Sequence, residues 1–164
     1  MGMVWVLATA SDEQVATLRA DPSGLYDFVN SEEAYESGRS LELDKQWHAV
    51  HFLLTGSAGA TDDPLSLIIG TFEEIGPDNG YGPAWFVPKR FIGEFDRTLS
   101  AQSNAEIAAR YDAAAMVRED VYIADALEEE GEEGLQFLME DIDRLRTFVT
   151  RAAAEGANAF GLIT

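Results

Sequence analysis

Residues 132–164, EEGLQFLMEDIDRLRTFVTRAAAEGANAFGLIT, decide the fold class. In the first part Leu135, Leu138, Ile142, Leu145, Phe148 and Val149 recur at helical spacing, which predicts one long amphipathic helix over 132–154. Gly156 follows, and glycine readily takes the left-handed conformation that ends a helix. The remainder, Asn158 to Thr164, is apolar, short and free of helical period, so it predicts a strand. A helix running straight into a strand at the end of the chain points to an α/β architecture.

Working outward, two more strands are expected. Residues 3–9 are rich in Val, Trp and Leu, and Ala84-Trp85-Phe86-Val87 follows a long turn-rich stretch. That stretch, 73–83, carries Gly76, Pro77, Gly80, Gly82 and Pro83 and reads as a loop. Helices fill the intervals. Ser11 and Gln14 have the spacing of a capping box, with Val15 and Leu18 turned inward. Asp21-Pro22 restarts the chain for a second helix with Leu25, Phe28 and Val29 on one face. Residues 31–40 read as a loop or weak helix. Leu43, Trp47, Val50 and Leu54 predict a helix over 42–55, stopped by Gly56. Asp63-Pro64 predicts a short helix, Leu65 to Ile69, closed by Gly70. Pro88 opens a helix with Phe91, Ile92, Phe95 and Leu99 inward, and a further helix covers about 104–111. Residues 120–123 read as a short strand or extended segment. Glu128 to Glu133 reads as a solvated helix entrance, where the helix dipole favours negative charge. The sum is a central sheet with helices on its faces, in one domain over 1–164.

Composition limits function. The chain has 164 residues, thirty acids against eleven bases, and a formal net charge of −19. Such a chain repels nucleic acid and anionic lipid, so neither is expected as a partner; a basic protein is the electrostatically favoured one. The absence of cysteine excludes disulfides, thiolate ligands and a cysteine nucleophile. The first residues lack a basic leader and no stretch has the length and apolarity of a membrane span, so a cytoplasmic protein is expected.

Candidate chemistry gathers in the predicted helix 42–55, which holds both histidines. On a helix Asp44, His48, His51 and Thr55 fall on one edge beside the apolar stripe. A carboxylate one turn before an imidazole can orient its tautomer, so Asp44 and His51 could line the edge of a cleft, with Lys45 as an anion contact. Lys45 lies about 100° round such a helix from Asp44, which works against convergence. The plainer reading is packing, with Trp47 as a core anchor. No third ligand accompanies the histidines, so no metal or other cofactor is expected. No phosphate loop, dinucleotide fingerprint or nucleophile elbow is present.

The run Leu43-Asp44-Lys45-Gln46-Trp47-His48-Ala49-Val50-His51-Phe52-Leu53-Leu54-Thr55-Gly56 resembles the YfbM-like family of uncharacterised bacterial proteins, a domain of unknown function. Asp63-Pro64-Leu65-Ser66 with Gly70 resembles a second block. Gly82-Pro83 with Pro88 is similar to a third, and Arg110-Tyr111-Asp112 with Met116 and Val121-Tyr122 to a fourth. The resemblance spans the chain. It implies a three-layer α/β/α sandwich with a central mixed sheet and helices on both faces, and no established activity. The motif positions it carries over are Asp44, Lys45, Trp47, His51, Thr55 and Gly56; His48 is not among them. The chain departs from many relatives after Tyr122, where Ile123-Ala124-Asp125 stands in place of a proline and then a tryptophan. Charge and the lack of catalytic motifs together suggest a binding or inhibitory module for a protein partner, of immunity type for instance. An enzyme or small-molecule site near Asp44 and His51 is the alternative.

Overall fold

The computed structural model describes residues 2–164. Its sheet has five strands: β1 (Trp5–Ala10), β2 (Ser40–Leu43), β3 (Glu73–Ile75), β4 (Ala84–Val87) and β5 (Asn158–Ile163), in the order β2-β1-β5-β4-β3. Every pairing is antiparallel, so the sheet is not the mixed one expected. Most helices lie in the chain between neighbouring strands, β1 and β2 or β4 and β5, and an antiparallel neighbour needs no crossover. The last strand of the chain, β5, occupies the middle of the sheet between β1 and β4.

Both faces of the sheet are buried, which explains why β1 is apolar without alternating. Trp5 and Leu7 join Leu41 and Leu43 in the larger core, packed under α4 (Trp47–Thr55), α5 (Lys89–Ser100), α6 (Asn104–Ala108), α7 (Ala113–Arg118), α8 (Ala124–Glu130) and α9 (Glu132–Ala154). Val6, Ala8 and Ala10 point the other way, with Phe160 and Leu162, into a smaller core. That side is covered by α1 (Asp12–Ala20) and α2 (Leu25–Asn30). A short helix α3 (Glu32–Glu36) precedes β2. The sheet also needs one close approach. The Trp85 indole lies on Gly161 so tightly that a Cβ there would stand 2.5 Å from the ring.

The capping box at Ser11 forms as expected, with Ser11 Oγ accepting from Gln14 N–H and Gln14 Oε1 accepting from Ser11 N–H. Other expectations need correction. Residues 42–46 are not helical: Leu41 and Leu43 alternate with exposed Glu42 as β2, and the chain turns before α4 begins at Trp47. Leu43 fits both a period of two and a helical stripe, so the sequence pattern could not separate them. Residues 65–69 form no helix. Asp63 Oδ1 accepts from Leu65 N–H, and Ser66 Oγ donates to the Ile69 carbonyl and accepts from Thr61 N–H, which folds a compact plug with Leu65, Leu67 and Ile68 in the core. Within the expected loop, residues 73–75 form β3 at the sheet edge. Residues 120–123 are a turn rather than a strand, α7 was not foreseen, and Glu128 to Glu130 end α8 instead of opening α9.

Candidate functional site

The start of α4 and the segments it holds carry nearly all the candidate side chains. Asp44 and Lys45 precede the helix and are exposed, so they share no helical edge with His51. Trp47 is buried and its Nε1–H donates to the Met3 carbonyl at 3.1 Å. His48 stacks on Trp47, with ring centroids 5.1 Å apart and planes 12° from parallel. The Tyr122 ring lies 6.1 Å from Trp47.

The two histidines are held by backbone. His48 Nδ1 accepts from the Tyr122 N–H at 2.9 Å and its Nε2 meets the Ala58 carbonyl at 2.7 Å. A carbonyl accepts only, so Nε2 carries the proton and the ring is neutral. His51 has no exposed surface, and its Nε2–H donates to the Gly59 carbonyl at 2.8 Å. Its Nδ1 is buried without a partner among the described residues. Burial pulls the His51 pKa below the ordinary imidazole value, and the Gly59 bond offsets that only in part. Thr55 Oγ1 donates to the His51 carbonyl at 2.9 Å and accepts from Ser57 N–H at 3.2 Å. Gly56 then ends the helix at φ 73°, its N–H on the Phe52 carbonyl. Chemically, this cluster closes the helix and staples the 57–59 loop to it.

Of the five expected residues, Asp44, Lys45, Trp47, His51 and Thr55, only Trp47 reaches a described cleft. That cleft is an apolar pocket of about 260 Å³ shared with Ile68, Ile69, Phe72, Trp85 and Ile163. A wider polar cleft of about 540 Å³ lies elsewhere, where the end of β1 meets the end of α9, with Ser11, Asp12, Arg39, Arg151 and Glu155 on its walls. Its cations are already engaged, Arg39 with Glu33 and Arg151 with Glu155. Among the described residues no three His, Asp or Glu side chains converge as a metal site. No helix among them is long and apolar enough to cross a membrane.

Sequence reasoning set His48 aside, yet it is the residue whose two nitrogens join α4 to two distant segments. It also missed Asn158, which accepts from Lys89 N–H and donates to Asp12 across the end of the sheet. A buried asparagine at the head of an apolar strand was the available signal. Asp141 is buried as well; its pKa is raised by burial, against the opposing pull of Arg144 at 2.9 Å.

The curated protein YfbM of Escherichia coli K12 is 28% identical over 170 residues, covering 99% of each chain. The crystal structure of YfbM, titled a protein of unknown function, matches with a TM-score of 0.70 at 20% identity, over 98% of this chain and 99% of that one. The family described as domain of unknown function DUF1877 matches residues 1–160, so the chain belongs to this YfbM-like family.

Proposed function

We propose that the protein is a binding or inhibitory module that docks a basic protein partner by charge. The observation that carries this is the placement of the acids. Every aspartate and glutamate is exposed except the half-buried Asp96 and the buried Asp141. The eleven positive side chains offset only part of the thirty acids, and Lys45, Arg90, Arg97, Arg110 and Arg118 make no ion pair among the described residues. Arg19, Arg39, Lys89, Arg144 and Arg151 are ion-paired, and Arg146 donates to the Leu99 and Gln102 carbonyls. The densest acidic surface is the α7–α9 corner, with Glu119, Asp120, Asp125, Glu128, Glu129, Glu130, Glu132 and Glu133 exposed. Exposed Phe137 stands one turn further along α9. An acidic surface of this kind steers a basic partner, and an exposed aromatic beside it can supply the apolar anchor. The partner would be met in the cytoplasm, which a chain without cysteine suits. The two buried sheet faces support a three-layer α/β/α arrangement behind that surface.

A salt series tests the reading. Affinity for a defined cationic protein is measured for the native chain, for a variant with four corner glutamates changed to glutamine, and for one with Glu13, Asp27, Glu32 and Glu36 neutralised. Steered docking at the corner predicts a steep loss of affinity with salt, and a larger loss in the corner variant. Affinity indifferent to salt, or equal losses in both variants, would count against it.

A further inference from the structure

We propose that His48 is the catch of an acid-released latch, which holds the 120–124 turn closed against the start of α4. The turn is anchored by its own backbone: Tyr122 N–H donates to His48 Nδ1 at 2.9 Å. The opposite nitrogen of the same ring is committed to the Ala58 carbonyl. The ring therefore cannot change tautomer without losing both bonds. The turn is also one the chain does not adopt readily. Asp120 has φ 54° and Ile123 has φ 58°, and a β-branched residue in the left-handed region is disfavoured. Tyr122 adds two weaker ties, its hydroxyl accepting from Met3 N–H at 3.2 Å and its ring lying beside Trp47.

A proton on Nδ1 turns this anchor into a contact between two donors. The Nε2–H bond to Ala58 survives and strengthens, because an imidazolium donates better than a neutral ring. Acid thus leaves the ring on the 58–59 loop and frees the turn, uncovering the Tyr122 side of Trp47. The other titratable and charged groups on the packed elements are His51 on α4, Asp44 and Lys45 just before it, Asp120 and Tyr122 on the turn, and Asp125, Glu128, Glu129 and Glu130 on α8. The 57–60 loop presents backbone and Ser57 only. Among these groups, His48 alone accepts a hydrogen bond from the backbone of the turn.

Amide exchange by NMR tests the latch on the intact protein between about pH 8 and about pH 5, with intrinsic rates divided out. The His48 ring is followed in the same samples through its own resonances. The expected result is a loss of protection of about tenfold or more at the Tyr122 amide, with the midpoint of the His48 ring and larger than any change at the β1 and β5 amides, which report global stability. H48Q is expected to abolish the pH response in this window, and Y122F to keep it, since the backbone donor remains. Different midpoints for ring and turn in the native chain would overturn the proposal even where H48Q does not fold. So would an equal loss of protection at the β1 and β5 amides, which marks global unfolding, or loss of the response in Y122F, which assigns it to the hydroxyl.

Discussion

His51 shows how one side chain combines packing with a pH-dependent contribution to stability. It fills space in the core face of α4 and satisfies the Gly59 carbonyl. Replacing it with alanine leaves a cavity and an orphaned carbonyl, at an expected cost of about 2–4 kcal/mol by chemical denaturation. Its folded pKa lies below the ordinary value of 6.5, so the neutral ring is the favoured form. The resulting stability is fully present above that unfolded value and is lost as pH falls through the lowered folded one. Denaturation midpoints across mildly acidic pH should fall in the native chain and flatten in His51→Ala; equal slopes would assign the pH dependence to other groups. Gly161 is a second residue whose identity is forced. Gly161→Ala places a Cβ into the Trp85 indole, and an expected loss of about 1–3 kcal/mol should appear with altered tryptophan fluorescence. The candidate site was partly legible at this scale. Trp47, His51 and Thr55 lie on one helix ended by Gly56, as the spacing implied, whereas Asp44 and Lys45 do not, because β2 ends beside them.

At the scale of elements, helices with their own start and stop signals were the readable ones. The box at Ser11, Pro88 ahead of α5, Gly56 after α4 and Gly156 after α9 are local chemistry, and each boundary lies where that chemistry puts it. Ser11→Ala removes one acceptor and one half of a reciprocal pair, so a loss of about 1 kcal/mol is expected in thermal unfolding, with α1 fraying first in amide exchange. Unchanged stability would mean that packing of Val15 and Leu18 alone holds α1. The elements that escaped reading are short or lack an apolar signature. In β3, Glu73 and Glu74 are exposed, and the strand exists because β4 offers an edge. α7 opens on three alanines capped by Asp112 and is legible only once Met116 has a core to enter.

For the whole molecule, charge repulsion adds to the conformational entropy that folding must overcome. A net charge of −19 spread over exposed positions repels itself in the compact state. The melting temperature is therefore expected to rise as sodium chloride is raised from about 10 mM to about 0.5 M, by several degrees, as screening shortens the range of repulsion. A flat or falling response would show that the ion pairs among the described residues outweigh the repulsion. Assembly is also non-local. β5 pairs with β1 from the opposite end of the chain, so the sheet has no centre until the last residues are placed, a topology associated with slow folding.

What the sequence determined by itself was local and compositional: the acidic surface, the capped helices, the apolar strands at both ends and the presence of a sheet under helices. Periodicity and capping act within a few residues, so they survive being read one segment at a time. Strand order, antiparallel direction, β2 and β3, and the partners of both histidines were decided by tertiary structure alone. Those depend on which backbone meets which across long stretches of chain, as Tyr122 N–H meets His48, and no local pattern encodes such a meeting.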